Sequence, residues 1–268
     1  MSFWRDKVVI ITGGSAGFGR SLAGVYAQAG AKLVLAARDA ARLDATVSDL
    51  RRENAAVCGV PTDVTNDQQV SALIARTVSE FGRIDVLVNN AGRSTRGRVV
   101  DTTPEQFQEL LELNFLSTVR CTRAALPHLI ASRGYLVNVG SLAAKTVTRY
   151  LGAYPASKFP VAAYSQQLRL ELKAEGVHVL LVCPGPIARE DAGQRYAVES
   201  ADLPDSAKRP GGGVRIRGLD PLVVSRRILK ACESRRPELI LPAKARWLLA
   251  IAAISPRLGD WIVDRMTR

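Results

Sequence analysis

The chain has 268 residues, of which 47% are hydrophobic, and its formal net charge at pH 7 is +12. This length allows one large α/β domain or two small ones, and the hydrophobic content is sufficient for a large core. The charge is uneven: Asp205 to Arg268 holds 14 Lys/Arg and 6 Asp/Glu, so +8 of the +12 lies in the last 64 residues. A basic, partly apolar tail suggests an anionic partner, either a membrane surface, an acidic ligand or nucleic acid.

Cysteine and histidine usage argues against disulfides and metal centres. The four cysteines are far apart and form no CxxC pair, so we expect buried, reduced thiols at Cys58, Cys121, Cys183 and Cys232. With two histidines, a histidine-based metal site is not expected. The first seven residues lack an apolar run, and the run at 247–254 is shorter than the ~20 residues that span a bilayer. We therefore expect a cytoplasmic protein without a signal peptide or membrane span.

The first motif is a glycine-rich loop between a strand and a helix. Residues 7–12 form a β-branched apolar run that predicts a buried strand, and residues 21–29 have helical composition. In this arrangement backbone N–H groups and a helix N-terminus face a phosphate, and glycine lets the backbone approach it closely. A tight turn is the alternative for such a loop taken alone. The candidate dinucleotide-binding residues of this loop are Gly13, Ser15, Gly17, Phe18 and Gly19.

The second predicted strand, 32–37, indicates which dinucleotide is bound. In NAD binders an acidic side chain near the end of this strand holds the ribose 2′-hydroxyl. Here the matching position is Ala37, and Arg38 follows it. A guanidinium suits a 2′-phosphate, so NADP(H) is favoured over NAD(H). The competing interpretations are a solvated helix-cap charge for Arg38 and a ribose contact from Asp39.

Strands and helices then alternate as far as residue 188. The sequence predicts strands at 56–61, 84–88, 135–139, 178–182 and 238–241, and helices at 41–53, 66–81, 104–131, 152–175 and 221–234. Parallel sheets bind ligands at the carboxyl ends of their strands. We therefore expect further cofactor contacts from the residues that follow three of these strands: Asp63, Val64, Asn90, Ala91, Gly92, Pro184, Gly185 and Ile187.

Tyr154 and Lys158 form the candidate catalytic pair. Four residues apart on a helix, they lie one turn apart on the same face. A phenol normally loses its proton near pH ~10, and a neighbouring ammonium lowers that pKa, which produces a general acid/base usable near neutral pH. Upstream, Asn114 within a predicted helix is either a bonded core amide or a bend, and Ser141 follows the fifth strand.

These motifs together resemble the short-chain dehydrogenase/reductase family over roughly residues 5–190. The motifs occur in the family's order: Thr12-Gly13-x-x-x-Gly17-x-Gly19, Asn89-Asn90-Ala91-Gly92, Asn114, Ser141, Tyr154 with Lys158, and Pro184-Gly185. The resemblance implies a single α/β domain with three layers, a Rossmann-like, doubly wound parallel sheet of about seven strands, assembled as a homodimer or homotetramer.

The resemblance also implies roles for the matching residues. Tyr154 would protonate the carbonyl oxygen during reduction, and Lys158 would lower the pKa of Tyr154 and hold the nicotinamide ribose. Ser141 would orient the substrate oxygen, and Asn114 would hold a water that links Lys158 to solvent. Two positions depart from the family pattern. Pro155 is expected in the first turn of its helix, and Arg189 replaces a common Thr and could reach a phosphate or an acidic substrate.

The last third of the chain departs from the β/α alternation. Residues 189–219 are polar and irregular, so a substrate loop is expected over 187–220 of the domain 1–242. Residues 243–268 form an appended basic, amphipathic helical element. Its Trp and Lys/Arg residues flank aliphatic side chains, which is typical of a membrane interface. Packing on the same domain or on another subunit is the alternative, and no nucleic-acid motif accompanies the charge.

Three functions remain open from the sequence. The first is NADP(H)-dependent reduction of a lipophilic or acyl-type ketone; Arg38 and the basic, apolar tail resemble members such as steroid or sphingoid-base reductases. The second is NAD(P)-dependent oxidation of a polar alcohol or sugar. The third is a dinucleotide-sensing scaffold without activity, which the complete Asn114, Ser141, Tyr154 and Lys158 set argues against.

Overall fold

The computed structural model describes residues 2–53, 55–189, 196–214 and 218–267. Its centre is a seven-stranded sheet in the order β3-β2-β1-β4-β5-β6-β7, in which every neighbouring pair is parallel. The strands are β1 (Val8–Thr12), β2 (Lys32–Ala37), β3 (Val57–Pro61), β4 (Val86–Asn89), β5 (Tyr135–Val139), β6 (His178–Pro184) and β7 (Glu238–Leu241). This confirms the predicted Rossmann-like fold class.

Helices cover both faces of the sheet. The longer ones are α1 (Gly17–Gln28), α2 (Ala40–Arg52), α3 (Asp67–Phe81), α4 (Pro104–Leu111), α5 (Ser117–Ser132), α6 (Tyr154–Glu171), α9 (Pro221–Glu233), α10 (Ala245–Ile254) and α11 (Pro256–Thr267), with four-residue turns α7 (Asp205–Lys208) and α8 (Pro210–Gly213). Because side chains alternate along a strand, Val9 and Ile11 pack with α1, α2 and α9, whereas Ile10 packs with α3, α5 and α6. All four cysteines are free and buried, as predicted.

Helical structure covers the predicted range 104–131, but it is divided into α4, a π-helical turn and α5. Residues 112–116 form a π-helical turn between α4 and α5, and Asn114 lies within it. The Asn114 side chain is fully buried and bonds to the backbone of Arg93 on the loop after β4. A single π turn inside a helix re-aims side chains, and such turns are frequent at functional sites. Other boundaries moved less: β4, for example, begins at Val86 and not at residue 84.

An aromatic cluster closes the amino edge of the sheet, where the strands begin. Trp4 packs edge-to-face on Tyr26 and Tyr135, with ring centroids 5.1 Å and 5.8 Å away. Tyr135 in turn contacts His178 at 5.6 Å. The Trp4 indole N–H donates to Glu233 of α9 at 2.7 Å, which connects the cluster to that helix. Aromatic pairs in this geometry add stability beyond their buried area.

The last two helices form a hairpin at the end of the domain. They cross closely: a Cβ built on Gly259 would lie 2.6 Å from the Cβ of Ala252. An ion pair between Asp264 of α11 and Arg149 ties the hairpin to the loop before α6. Across the part of the chain that the structure describes, no helix has both the length and the apolar character required to cross a membrane.

Candidate active site

Two loops at the carboxyl edge of the sheet are locked together by one hydroxyl and one amide. The Thr12 hydroxyl accepts hydrogen bonds from the backbone N–H groups of Asn90 and Ala91, both at 3.0 Å. The Asn90 side-chain amide donates to the carbonyl of Thr12 at 2.9 Å and to that of Gly13 at 3.3 Å. The glycine-rich loop and the Asn89–Gly92 loop are therefore held as one surface.

The glycine positions of this loop leave little or no space for a Cβ atom. A Cβ on Gly19 would lie 2.0 Å from the carbonyl oxygen of Gly13. Gly13 and Gly17 adopt left-handed φ angles of 66° and 50°, which favour glycine. Ser15 is buried, and its carbonyl accepts from the Thr46 hydroxyl at 3.0 Å. The loop leads directly into α1, so its backbone and the helix N-terminus form a cradle that fits a dinucleotide phosphate.

Arg189 and Phe18 flank this cradle. A Cβ built on Gly17 would lie 3.2 Å from the Arg189 guanidinium, so this cation lies over the start of α1. Phe18 is partly buried against the core. Two partners were predicted for Arg189 from the sequence, a phosphate or an acidic substrate. Its location beside the expected pyrophosphate fits the phosphate alternative.

Arg38 lies exposed at the end of β2. Its charge contributes to lowering the pKa of Asp63, behind the hydrogen bond that Thr65 donates from its backbone. The competing carboxylate, Asp39, is engaged elsewhere: it caps α2 by accepting from the backbone N–H of Arg42 at 3.0 Å. Val64 is buried beside Asp63. The strand ends thus present an exposed cation, and Asp39 uses one carboxylate oxygen as a helix cap.

The segment after β6 forms the opposite rim. The Gly185 backbone N–H donates to the carbonyl of Leu241 at 2.7 Å, which fixes it against β7. Ile187 pairs with Leu219 in an isolated bridge. Pro184, Gly185 and Ile187 line the same cavity as Asn90, Gly92 and Tyr154. The structure therefore brings these predicted residues from the ends of β4 and β6 to one site.

The predicted catalytic residues also come together. Tyr154 begins α6, with Pro155 in the first turn as expected, and it hydrogen-bonds with Ser141. Lys158 is buried and donates to the carbonyl of Val139 at 3.0 Å. Asn114 bonds to Ser157 at 2.8 Å. A Cβ on Gly92 would lie 2.5 Å from the Asn114 oxygen and 3.5 Å from Lys158 Nζ, so both groups border one glycine.

The expectation that Lys158 gives Tyr154 a low pKa is wrong for this structure. Burial raises the pKa of Tyr154 to about 12, opposed by the hydrogen bond with Ser141 and the charge of Arg96. Burial also lowers the pKa of Lys158 to about 8. Desolvation disfavours the charged form of each group, and it is the largest cause of both shifts. Tyr154 therefore holds its proton firmly at neutral pH.

Arg96 is a site residue that the sequence analysis missed. It is 7% exposed, and its guanidinium donates to the carbonyls of Ala207 at 3.0 Å and Thr95 at 2.9 Å. The same group stacks 3.8 Å from the ring of Tyr196. The backbone N–H of Arg96 donates to Glu199 at 2.7 Å. Arg96 therefore ties the 196–209 segment to the loop after β4, and no local motif signals it.

A cavity of about 580 Å³ extends from the Tyr154–Ser141 pair to the C-terminal hairpin. Near Tyr154 it is lined by Asn90, Gly92 and Lys158, and Arg96 and Tyr196 line it as well. Leu248 of α10 and Val263 and Met266 of α11 also line it, so the hairpin supplies part of its wall. Within the predicted substrate loop, residues 190–195 and 215–217 lie outside the described residues. Its described parts contribute Arg189, Tyr196, Lys208, Gly211 and Val214 to the lining.

A glycine cradle at a parallel-sheet edge beside a Ser–Tyr–Lys grouping defines a nicotinamide-dinucleotide oxidoreductase. The family model described as short chain dehydrogenase matches residues 7–197, and the chain belongs to the short-chain dehydrogenase/reductase family. Such proteins bind nicotinamide dinucleotides and act on small molecules. Family membership accounts for the motif order along β1 to β6 and not for the hairpin, which lies beyond the matched residues.

Relatives extend the similarity over most of the chain. Dehydrogenase/reductase SDR family member 7B from Danio rerio is 32% identical over 251 residues, covering 88% of this chain and 77% of that protein. Uncharacterized oxidoreductase YxnA from Bacillus subtilis is 32% identical over 266 residues, covering 98% and 72%. A family member from Burkholderia phymatum, solved in complex with NAD, has a TM-score of 0.83 at 27% identity and covers 96% of both chains.

A second solved structure binds the other cofactor. L-sorbose reductase from Gluconobacter frateurii, complexed with NADPH and L-sorbose, has a TM-score of 0.76 at 25% identity, covering 88% of this chain and 95% of that chain. The fold is therefore common to proteins solved with either dinucleotide.

Proposed function

We propose that the protein is an NADP(H)-dependent oxidoreductase that reduces a lipophilic or acyl-type ketone to a secondary alcohol. The observation that carries this proposal is the cavity, because one end holds Tyr154 and Ser141 and the other is lined by Leu248, Val263 and Met266. The hairpin supplies aliphatic side chains to the cavity, and Tyr154 and Ser141 supply the reactive hydroxyls, so the cavity suits a molecule with an apolar body and one reactive oxygen.

The residues support reduction by general acid catalysis. When bound, the dinucleotide supplies a hydride to the carbonyl carbon. Tyr154 and Ser141 donate hydrogen bonds to the carbonyl oxygen as negative charge develops there, and Tyr154 then transfers its proton to that oxygen. The raised pKa keeps the phenol protonated beforehand. Lys158 would hold the ribose, and Asn114 would position a water for return of the proton.

The cradle and the end of β2 account for the proposed cofactor. The backbone from Gly13 to Gly19 would hold the pyrophosphate, with Arg189 beside it. Arg38 would bind the 2′-phosphate, since its guanidinium is exposed at the end of β2 and the neighbouring Asp39 uses one carboxylate oxygen to cap α2. Asp63 and Val64 would contact the adenine, and Ala91, Gly92 and Ile187 the nicotinamide half.

A second candidate is oxidation or reduction of a polar alcohol or sugar. It is favoured by the similarity to L-sorbose reductase and by the cations Lys208 and Lys244 in the cavity lining. A dinucleotide-sensing scaffold without activity stays the weaker alternative, because a sensor has no need of a general acid hydrogen-bonded to Ser141. Turnover with alkyl ketones against sugars separates these functions.

The organisation of the protein completes the proposal. Residues 1–242 would form the catalytic domain, with 187–220 as the substrate loop, and 243–268 the appended element. Homodimer or homotetramer assembly, a cytoplasmic location and peripheral membrane contact through 243–268 stay predictions of the sequence.

The test is titration of the purified protein with NADPH and NADH, followed by intrinsic Trp fluorescence, and then turnover of alkyl ketones. We expect NADPH to bind about tenfold or more tightly than NADH, the size of one charge-assisted contact. Arg38→Asp should remove that preference, whereas Arg227→Asp on the exposed face of α9 should leave it. Equal affinities for the two cofactors in the wild-type protein would overturn the NADPH assignment.

A further inference from the structure

The α10–α11 hairpin has two apolar faces, and one of them lines the cavity. Five large side chains form its outer face, with exposed fractions of 76% for Trp247, 36% for Ile251, 86% for Ile254, 45% for Leu258 and 56% for Trp261. Their spacing follows the helix repeat, so each helix presents a continuous apolar stripe to the outside. Contiguous exposed apolar surface of this kind marks an interaction site.

The inner face of the hairpin belongs to the cavity. Leu248, Val263 and Met266 line it, while Gly259 and Ala252 bring the two helices into close contact. The wall between the cavity and the exterior is therefore only one layer of helices thick. Whatever covers the outer face lies directly against the wall of the substrate site.

Charge indicates what covers the outer face. Arg257 and Arg265 are exposed on α11, and the Arg265 guanidinium lies 5.6 Å from the ring of Trp261. Arg246 is also exposed, but its guanidinium donates to the Glu238 carbonyl of β7 at 3.4 Å, and Lys244 lines the cavity. Of the two acids there, Asp264 is already paired with Arg149. A second copy docked face to face would bring two surfaces of like charge together, which disfavours self-association. Trp, aliphatic side chains and surrounding Lys/Arg match an anionic bilayer surface.

We propose that the outer face of α10–α11 docks on an anionic lipid bilayer, so that the hairpin separates the bilayer from the substrate cavity. The apolar side chains enter the interface while Arg257 and Arg265 contact lipid phosphates and carboxylates. A lipophilic ketone dissolved in the bilayer then reaches Tyr154 past α10 and α11 without crossing water. This route rests on the proposed reductase function, whereas the docking itself does not.

The experiment is co-sedimentation of the full-length protein with phosphatidylcholine vesicles, with and without phosphatidylglycerol. We expect binding to the anionic vesicles and much less to phosphatidylcholine alone. The double variant Trp247→Ser/Trp261→Ser should lose binding by about tenfold or more, because each ring contributes interfacial burial. Arg257→Gln/Arg265→Gln should weaken binding to the anionic vesicles only. The matched control is Val99→Ser/Val100→Ser, which removes exposed apolar side chains elsewhere.

Two results would overturn the docking proposal. One is equal sedimentation of the wild-type protein and the Trp247/Trp261 variant. The other is a loss of oligomerisation in that variant, measured by light scattering, without vesicle binding of the wild-type protein; the face would then contact a second copy. NADPH titration of the same variants is the separate readout for the reductase. Vesicle binding without NADPH binding would retain the docking surface and remove the proposed function.

Discussion

The two edges of the sheet both contain buried ionisable groups, yet only one has the features of an active site. At the carboxyl edge, burial raises the pKa of Tyr154 and lowers that of Lys158. At the amino edge, burial raises the pKa of Tyr26 and lowers that of His178. The direction and the leading cause are the same at both edges, so a shifted pKa alone does not distinguish them.

Access and partners make the difference. Tyr154 faces a cavity of about 580 Å³ and hydrogen-bonds with Ser141. The Tyr26 hydroxyl is enclosed beside Trp4 and has no hydrogen-bond partner within the described part of the chain. A reactive group requires a substrate at hydrogen-bond distance, which the packed rings at the amino edge exclude. Burial therefore perturbs an ionisable group, whereas an open cavity with positioned hydrogen-bond donors gives that group a substrate to act on.

The largest expected effect is the loss of kcat when the Tyr154 hydroxyl is removed. Removal of the Tyr26 hydroxyl at the amino edge is the matched control. Tyr154→Phe should lower kcat for ketone reduction on the order of a thousandfold by removing the acid, with NADPH affinity nearly unchanged. Tyr26→Phe should leave kcat unchanged and keep or raise the free energy of unfolding by about 1 kcal/mol, because its hydroxyl is unbonded. Steady-state kinetics and urea denaturation measure both. Substantial activity in Tyr154→Phe would show that the acid is misassigned.

The carboxyl edge also depends on close backbone contact, which a pair of glycines in α1 can test. In Gly19→Ala the new methyl group would lie 2.0 Å from the Gly13 carbonyl, so we expect a loss of about 3 kcal/mol in stability and of dinucleotide binding. Gly24→Ala meets no atom within 4 Å and should stabilise α1 by about 0.5–1 kcal/mol. Thermal unfolding and NADPH titration report the two effects. Intact NADPH binding by Gly19→Ala would argue against the cradle.

Arg96 allows the electrostatic contribution to the pKa of Tyr154 to be tested. Its charge lowers the pKa of Tyr154, as the hydrogen bond with Ser141 does, so Arg96→Met should move the Tyr154-dependent limb of the pH–rate profile to higher pH. Loss of its bonds to the 196–209 segment should also raise KM for the ketone by about tenfold, equivalent to one hydrogen bond to a charged group. Arg98→Met, an exposed neighbour, is the control. A raised KM with an unmoved pH limb would limit Arg96 to a structural role.

The smallest effect is expected at the amino edge, as a function of pH. Burial, aided by the charge of Arg235, lowers the pKa of His178 from 6.5 to about 4. Between these values the unfolded chain binds more protons than the folded one, so this contribution to stability is present above pH ~6.5 and is lost as the pH falls toward ~4. His178→Gln should reduce that acid-induced loss by about 1–2 kcal/mol. Denaturation curves at neutral and acidic pH would reveal it, and parallel losses in both proteins would contradict it.

The sequence allowed much of the carboxyl edge to be predicted, because its motifs are contiguous. The glycine-rich loop can be predicted from residues that are adjacent in the sequence. The strands β5 and β7 were predicted with the bounds that the structure has. The π turn was not foreseen, since it accompanies a tertiary bond between Asn114 and Arg93. Arg96 was missed for a similar reason: its partner Ala207 lies 111 residues away in the chain.

The C-terminal hairpin is a second feature that could not be fully predicted from the sequence. Its composition predicted an amphipathic element that either contacts a membrane or packs on the domain. The structure gives the two helices both an inner face at the cavity and an exposed outer face. Composition reports that a helix has apolar residues, but only the fold decides which of them lie toward the interior.

The four native cysteines should react little with thiol reagents, because all four are buried. Burial raises the pKa of Cys121 and Cys183 to about 12 and that of Cys232 as well, while Cys58 is only 8% exposed. Maleimides and spin-label reagents attack the thiolate, so at neutral pH they should spare the native side chains. A single cysteine introduced by Ile254→Cys would then be modified alone. The wild-type sequence is in this sense ready for site-directed spectroscopy without any prior removal of its own thiols.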